Sequence, residues 1–570
     1  MQNFWEINPF GTEGLRINAK QSHAPSGAWQ SRSINKEKVL LFLIIALGAF
    51  FRFYNLNWDE GHYLHPDERI YVNSSNIYIP EELNLLLSPD SPLNSKEFSY
   101  GSFPLFVYKI THAVILPNSS FLFVSRLVSS VFSILTIPLI FLISKELFNR
   151  KTGIIAAIIF AFSAGSIQHA HFNTTESIQI FLITLIILLG IKAIKNKNYL
   201  LFIPLAILSG ISYATKIVGL TFLIVPLISF IFIFLKEKKL KKLIFFILLF
   251  VFLATISGLA LAPYQIIDFT LFKERQHYEQ SVVYGKYKPV YTIIYEQTKP
   301  YLYPLVKILP FTFGFISLPL SFIGLILVFK MLKEKKVINY IYLFILIYPI
   351  LYFLWAGAWY AKFSRYYVLL LPFLSIWASI ALARLRKLTI LILLFFIIVN
   401  GMLYLNTYTK SHTRVAASAW IYQNIATQST IAGEHWDDSL PLQLKTNLGK
   451  RYQMVQLPVY EPDYLEKISR LSTVLSQSDY FVISSRRVYY SILKNPKQYP
   501  YTSKFYQLLF EEKLGFKLVK TVTNYPFYFS DDFADESFQS YDHPPVLVFR
   551  KIKKISPEHI SNLVIKHIKK

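Results

Sequence analysis

One short stretch of the chain, from Trp58 to Tyr71, carries far more ionisable side chains than its surroundings. It directly follows the first long apolar segment, and ionisable groups at the mouth of a membrane span mark functional sites by default. Carboxylates and imidazoles are side chains that exchange protons with substrates. This stretch is therefore predicted to hold the reacting centre, just outside the bilayer. Its ionisable residues are Asp59, Glu60, His62, His65, Asp67, Glu68 and Arg69.

The composition indicates a polytopic membrane protein. Of the 570 residues, 53% are hydrophobic and only 16% are charged, a balance that is rare in soluble domains. Windows of about 18 nearly uncharged residues recur along the chain, and each is long enough to cross a bilayer core of about 30 Å. The chain has no cysteine, which excludes disulfides, thiolate nucleophiles and cysteine metal sites.

The net charge of +25 is distributed in short basic turns between apolar segments. Such turns are typical of cytoplasmic loops, whereas a nucleic-acid partner would need one contiguous basic surface. With the N-terminus inside, eleven crossings place every basic turn in the cytoplasm and loops 57–118, 169–175, 264–307 and 356–365 outside. The predicted crossings are residues 39–54, 119–144, 152–168, 176–194, 199–213, 217–235, 243–263, 308–329, 337–355, 366–383 and 388–408.

Three parts of the chain follow from these patterns. Residues 1–38 are polar and are predicted to form a disordered cytoplasmic tail. Residues 39–405 form the membrane part, and residues 406–570 form a soluble α/β domain outside the membrane. The strands of this domain are predicted at 429–432, 452–457, 480–484, 516–522 and 546–549, and its helices at 415–425, 464–475 and 488–493.

Five motifs fall in or beside the predicted outside loops. They are His65-Pro66-Asp67-Glu68-Arg69, Tyr100-Gly101-Ser102-Phe103-Pro104-Leu105, the run from Gln168 to Glu176, the run from Pro263 to Phe269, and Lys362-Phe363-Ser364-Arg365-Tyr366-Tyr367. In this order they resemble the polyprenyl-phosphate-dependent glycosyltransferases of the GT-C fold. That family includes the protein O-mannosyltransferases and the enzymes that transfer aminoarabinose to lipid A.

The resemblance implies a GT-C-like membrane domain that moves one sugar from a polyprenyl phosphate to an acceptor hydroxyl. Asp67 is the predicted base and Glu68 its catalytic partner, because Pro66 would start a helix whose exposed N–H groups keep Asp67 ionised. Cationic and aromatic groups would then bind the departing lipid phosphate. The predicted substrate-binding residues are His65, Arg69, His171, Glu176, Tyr264, Asp268, Lys362, Arg365 and Tyr366.

Alternatives stay open for several of these residues. Asp67 and Glu68 could merely cap their helix and pair with Arg69, and Asp59 with Glu60 is the competing carboxylate pair. Lys216 is an alternative cation for the phosphate. A divalent metal ion could bind His65, His169 and His171, although ordinary lining of a wet cavity explains these histidines better. The soluble domain has no recognisable catalytic set, since a cluster such as Glu434 to Asp438 usually lines a strand-to-loop corner, so a lid or acceptor-binding role is favoured over catalysis.

The predicted protein is an inverting glycosyltransferase of the plasma membrane, with a cytoplasmic N-terminus and an extracytoplasmic C-terminal domain. Its partners are the lipid-linked sugar donor, the bilayer and an unknown acceptor, and nucleic acid is excluded. A protein Ser/Thr O-mannosyltransferase is the alternative enzyme. The alternative of another class is a transporter of lipid-linked sugars, which should carry mid-bilayer charges and repeat symmetry.

Overall fold

The computed structural model describes residues 36–237, 240–333, 337–435, 437–447, 449–527 and 529–566. The predicted N-terminal tail therefore lies almost entirely outside the described residues, as does Trp436 of the acidic cluster. The chain forms a bundle of apolar helices followed by a domain with a five-stranded sheet. The predicted combination of a helical membrane part with a C-terminal sheet domain is confirmed at this level.

Apolar helices dominate the chain up to residue 405. Their bounds are Lys36–Phe53, Pro66–Asn73, Leu83–Leu86, Ser102–Ile110, Phe121–Leu147, Arg150–Ala161, Ala164–Ala170, Glu176–Lys195, Phe202–Thr215, Ile224–Glu237, Leu240–Leu261, Tyr264–Ile267, Phe269–Val283, Leu309–Phe313, Ser317–Lys333, Ile347–Ala356, Ser364–Tyr367, Leu371–Leu382 and Lys387–Leu405. Short 3₁₀ or π turns extend several of them, at Thr111–Ile115, Tyr199–Leu201, Ile217–Leu223, Val290–Tyr295, Pro304–Ile308, Val337–Ile345 and Val368–Leu370.

Five helical stretches among the described residues are long and apolar enough to cross a membrane, or up to seven if two bent pairs each form one span. The bends are 58° between Arg150–Ala161 and Ala164–Ala170, and 106° between Pro304–Phe313 and Ser317–Lys333. Four further apolar helices are shorter. The count of eleven crossings therefore stays a prediction.

Three of the predicted basic turns meet one another and the start of the first helix. Glu37, at the start of the first helix, pairs with Lys145 at 3.3 Å and with Arg150 at 3.0 Å. Lys195 pairs with Glu146 at 2.9 Å, and Lys151 donates to the carbonyl of Ala383. These contacts join the ends of five predicted crossings. Three of the turns that the charge pattern assigns to one side, at residues 145–151, 192–197 and 384–387, thus lie together.

The C-terminal domain is built on strands β1 Thr430–Glu434, β2 Gln453–Leu457, β3 Tyr480–Ile483, β4 Phe516–Val522 and β5 Val546–Lys551. Their order in the sheet is β2-β1-β3-β5-β4, with β2, β1 and β3 parallel and with β5 antiparallel to β3 and β4. All five lie, to within two residues, where short apolar runs predicted them. Helices flank the sheet, at Thr413–Asn424, Leu465–Gln477, Arg487–Lys494, Pro500–Phe510, Glu536–Gln539 and Pro557–Lys566.

Alternation along the strands gives this domain two cores. Phe481 and Phe549 point into a core with helix Leu465–Gln477, while Val482 and Val548 point into one with helix Thr413–Asn424. Successive side chains of a strand face opposite sides, so each strand supplies both layers. The sheet is therefore covered by helices on both faces, as its parallel part requires.

Close helix packing in the bundle can be tested at Gly324. A Cβ at this position would overlap the backbone carbonyl of Trp377, which cannot move without its own helix. Gly324→Ala should therefore destabilise the protein by about 1–3 kcal/mol, the usual cost of overpacking. Gly449→Ala is the matched control, because a Cβ there meets nothing within 4 Å. Thermal unfolding in detergent measures both, and equal melting temperatures would contradict the packing described.

Candidate functional site

The helix Pro66–Asn73 begins as the sequence predicts, but its cap is different. His65 has an extended backbone (φ −90°, ψ 115°), and its Nδ1 accepts a hydrogen bond from the Asp67 N–H at 3.2 Å. Pro66 occupies the first position of the helix, where its missing N–H costs nothing. The cap is thus the imidazole of His65, and the carboxylates of Asp67 and Glu68 are left for other contacts.

Glu68 and Asp59 both bind the guanidinium of Arg126, and all three side chains are fully buried. Arg126 Nη1 donates to Asp59 Oδ1 at 2.9 Å, and its Nε donates to Glu68 Oε1 at 2.8 Å. Glu68 Oε1 also accepts from the N–H of Asn173 at 2.6 Å. Glu68 therefore anchors the loop, and the structure does not bring it to the cavity described next.

Asp67 faces a cavity of about 460 Å³ and forms an ion pair there with Arg365. The guanidinium of Arg365 lies over the rings of Phe363, at 5.0 Å, and Tyr366, at 5.7 Å. Burial alone would raise the pKa of the Asp67 carboxyl, but Arg365 outweighs that effect and holds it below its usual range. Asp67 is therefore an ionised carboxylate, able to accept a proton.

A second ion pair lines the same cavity. Lys216 Nζ lies 3.1 Å from Glu176 Oε1 and 4.9 Å from the centre of the Tyr100 ring. Glu176 starts the helix Glu176–Lys195, and Lys216 links two apolar helical segments. The cavity is thus lined by two cations, in ion pairs with Asp67 and Glu176, and by a third carboxylate, Glu279. Other polar and aromatic side chains that line it are Gln179, Gln276, Tyr278, Gln280, Tyr291, Tyr352, Trp355, Trp359 and Tyr366.

Two predicted residues hold the first loop instead of lining the cavity. The Tyr264 hydroxyl donates to the carbonyl of Leu86 at 2.9 Å, and Asp268 accepts from Asn94 at 2.9 Å. Asp268 also pairs with Lys96 at 3.3 Å. Their predicted substrate contacts are not supported by these positions.

Lys362 and Arg69 are also drawn away from the cavity. Lys362 is buried, and its Nζ donates to the carbonyl of Tyr360 at 2.9 Å. Arg69 donates to Asp438 of the C-terminal domain at 2.6 Å. Lys216, named from the sequence only as an alternative, takes the place in the cavity that Lys362 was predicted to have.

The three candidate metal-ligating histidines do not converge on a common point. Both ring nitrogens of His171 contact backbone carbonyls, those of Ile167 at 2.9 Å and Tyr54 at 2.8 Å. His65 uses Nδ1 as a helix cap, and His169 is buried. Within the described parts of the chain, no group of three or more His, Asp or Glu side chains is placed to hold a metal ion.

The C-terminal domain packs against the membrane part through a buried charged cluster. His543 lies between Asp531, 2.8 Å from Nε2, and Asp542, 2.6 Å from Nδ1, with all three side chains fully buried. Asp542 also accepts from the hydroxyls of Tyr404 and Tyr408 in the membrane part, both at 2.7 Å. Burial opposes the charge on His543, but the two carboxylates outweigh it and raise its pKa to about 10.

Sequence reasoning missed three residues that build this site: Arg126, Tyr541 and His543. Arg126 did leave a signal, because it is the one charged residue in the predicted crossing 119–144 and such residues are rare in spans. Tyr541 stacks on His65 with ring centres 4.0 Å apart. Nothing near Tyr541 or His543 in the sequence points to a contact with the first loop.

One comparison with known proteins concerns sequence. A family model described as "Dolichyl-phosphate-mannose-protein mannosyltransferase" matches residues 103–260. The resemblance to polyprenyl-phosphate-dependent glycosyltransferases is thus confirmed over this part of the membrane domain. No curated protein matches the chain.

Solved structures with a similar arrangement are distant in sequence. The archaeal oligosaccharyltransferase AglB from Archaeoglobus fulgidus, in complex with an inhibitory peptide and a dolichol-phosphate, is 11% identical, with a TM-score of 0.47 over 83% of this chain and 72% of that one. ArnT from Cupriavidus metallidurans bound to undecaprenyl phosphate is 12% identical, with a TM-score of 0.44 over 94% and 79%. ArnT in the apo state is 16% identical, with a TM-score of 0.42 over 80% and 94%.

The raised pKa of His543 predicts how stability depends on pH. Its pKa is about 6.5 in an unfolded chain, so its stabilising charge is fully present below that pH and is lost as pH rises through about 10. At pH 6.5, His543→Gln should lower the free energy of unfolding by roughly 3 kcal/mol and the melting temperature with it. The variant should also lack the loss of stability that the wild type shows between pH 6.5 and pH 10.

Melting curves in detergent at pH 6.5, 8 and 10 test this prediction. His559→Gln, at an exposed position of the same domain, is the control and should melt like the wild type. The interpretation is wrong if the wild type and His543→Gln lose stability in parallel from pH 6.5 to pH 10.

Proposed function

We propose that this protein is a membrane glycosyltransferase that moves one sugar from a polyprenyl-phosphate donor to an acceptor hydroxyl, with inversion at the anomeric carbon. The observation that carries the proposal is the pairing of an ionised carboxylate, Asp67, with a guanidinium, Arg365, inside one cavity. A base and a phosphate-binding cation are the two groups that this reaction needs at the same place.

In the proposed step, the acceptor oxygen attacks the anomeric carbon while Asp67 takes the proton of the hydroxyl. The bond between the anomeric carbon and the phosphate oxygen breaks, and the lipid phosphate leaves with the electron pair. Arg365 would stabilise that leaving charge through a planar fork of N–H donors. A donor phosphate competes with Asp67 for Arg365, so donor binding would free the carboxylate and make it a stronger base.

Lys216 is the second cation of the proposed phosphate site. Its ammonium contacts Glu176 on one side and the face of Tyr100 on another, which fixes it at the cavity wall. Glu176 would position Lys216 and could also accept a hydrogen bond from a sugar hydroxyl.

An apolar groove next to the cavity suits the isoprenoid tail. It has a volume of about 310 Å³, and Leu220 lines both the groove and the cavity. Its walls come from helices Phe202–Thr215, Ile224–Glu237 and Leu240–Leu261 and are almost entirely apolar. A lipid phosphate at Arg365 and Lys216 could therefore place its tail in this groove.

The family match suggests which substrates to test first, because its description names a mannose donor on a dolichyl phosphate and a protein acceptor. A protein O-mannosyltransferase is accordingly the first specific form of the proposal. We also propose that the cavity and the C-terminal domain face the outside of the plasma membrane, because three of the basic turns lie together and the charge pattern assigns them to the cytoplasm.

The role of Asp67 can be tested by a substitution that keeps its shape. Asp67→Asn cannot take a proton from the acceptor, so turnover should fall about 10²-fold or more while donor binding and membrane insertion are kept. Turnover is measured as lipid phosphate released from a panel of polyprenyl-phosphate sugars, detected by mass spectrometry.

Glu60→Gln is the better control for this experiment than a change at Asp59. Glu60 is exposed, whereas Asp59 is buried against Arg126 and its loss would destabilise the loop. Near-normal turnover in Asp67→Asn, or an equal loss in Glu60→Gln, would rule out Asp67 as the base.

Substitutions of three cations, Arg365, Lys216 and Lys362, test where the donor phosphate binds. Arg365→Ala and Lys216→Ala should each raise the donor KM, by about tenfold or more, since a charge-assisted hydrogen bond contributes about 1.5–3 kcal/mol. Arg365→Lys should recover only part of the loss, because an ammonium lacks the planar fork. Lys362→Ala should leave the donor KM within about twofold, as Lys362 lies outside the cavity. A larger effect at Lys362 than at Lys216 would return the phosphate to the position first predicted from the sequence.

A further inference from the structure

One segment of the C-terminal domain, residues 535–543, contacts the three motifs that carry Asp67, Glu176 and Arg365. Its first contact is with the motif that carries Arg365. The N–H of Ser364, the residue before Arg365, donates to Ser537 Oγ at 2.8 Å, and the two serine hydroxyls lie 3.1 Å apart. Both serines are buried, so this contact fixes the backbone from which the guanidinium projects.

The second contact is with the turn that leads to Glu176. Gln168, in the short helix Ala164–Ala170, donates through Nε2 to the carbonyl of Phe538 at 2.9 Å. The same amide lies 3.3 Å from both carboxylate oxygens of Asp542. The turn is therefore fixed by one backbone group of the segment, the Phe538 carbonyl, and by one side chain, the Asp542 carboxylate.

The third contact is with the loop that carries Asp67. Tyr541 stacks on the imidazole of His65, with ring centres 4.0 Å apart and planes at 30°. Phe172 also lies against His65, with ring centres 4.6 Å apart, so the imidazole contacts two aromatic rings. Since His65 Nδ1 caps the N–H of Asp67, the position of Tyr541 bears on the first turn that presents the base.

The segment is itself fixed at both ends. Asp535 accepts from the hydroxyl of Tyr303 at 2.9 Å, and its N–H donates to the carbonyl of Lys307 at 2.9 Å. At the other end, His543 is clamped by its two buried carboxylates. Every residue from 535 to 543 is buried. A segment that had to leave on each turnover would break all of these contacts at once.

We propose that residues 535–543 form a static positioning element, in which Tyr541 fixes Asp67 through His65 while Ser537 fixes Arg365 through Ser364. This inference rests on the proposed function for the meaning of Asp67 and Arg365. It differs from the lid or acceptor-binding role that the sequence suggested for the C-terminal domain. The soluble domain then acts on the reaction without touching the reacting atoms.

The test compares Tyr541→Leu with Tyr541→Phe in the full-length enzyme. Leucine removes the stacked ring, so kcat should fall about 10- to 100-fold through misplacement of Asp67, with the donor KM within about twofold. Phenylalanine keeps the ring and should recover most of that loss. Equal losses in both variants, or unchanged kcat in Tyr541→Leu, would overturn the proposal.

Hydrogen exchange gives a readout that does not depend on sugar transfer. Backbone amides of residues 66–73 should exchange faster in Tyr541→Leu than in the wild type and in Tyr541→Phe. A fall in kcat without faster exchange would overturn the positioning role. If the wild type releases lipid phosphate from no polyprenyl-phosphate sugar, the proposed function fails, and the exchange measurement still decides whether the segment holds the loop.

Ser537→Ala provides a second variant should the leucine variant not fold. It removes the acceptor of the Ser364 N–H and should raise the donor KM severalfold, because Arg365 loses its fixed backbone. It should also speed exchange of the amides at residues 363–367. Wild-type kinetics together with wild-type exchange in Ser537→Ala would overturn the proposal.

Discussion

The buried guanidinium of Arg126 fixes the position of the first loop. A cation with no access to solvent is tolerated only when it is paired and its N–H groups are hydrogen-bonded. Here the carbonyl of Leu56 accepts one hydrogen bond, and two carboxylates, Asp59 and Glu68, accept the others and supply the opposite charge. These two residues flank the turn that leads to Asp67. The Asn173 N–H adds the second turn to the same network through Glu68. The loop can therefore lie in only one place without leaving a buried charge unmatched, and the cavity is assembled around it.

Local features of the fold could be predicted from the sequence. The five strands of the C-terminal domain follow from short apolar runs, and the helix at Pro66 follows from proline at its first position. Of the predicted site residues, Asp67, Glu176, Arg365 and Tyr366 line one cavity. Each of these residues sits in or beside a loop that the charge pattern predicts to lie outside the membrane. The predicted topology was therefore enough to predict that they lie on the same side. The roles of these residues are still predictions.

Contacts between distant residues could not be predicted. Glu68 and Asp67 are neighbours on one helical turn, and nothing local indicates that the first would bind Arg126 while the second meets Arg365, 298 positions away. The same limit explains why Lys362, adjacent to the Arg365 motif, was preferred to Lys216. It also explains Tyr541, whose partner His65 is encoded near the other end of the chain. Such pairs leave no local pattern in the sequence, because the interaction between the two residues forms only after the helices pack.

The apolar groove beside the cavity has a thermodynamic consequence for substrate choice. An isoprenoid that moves from the bilayer into this groove exchanges one hydrocarbon environment for another, so little hydrophobic free energy is gained. The groove can therefore guide a tail and limit its shape, but it cannot supply much affinity. Discrimination between donors would have to arise at the headgroup, because its charged phosphate and its sugar move from the hydrated membrane surface into the cavity. Under that condition, an enzyme of this design would tolerate tails of different length while distinguishing sugars strictly.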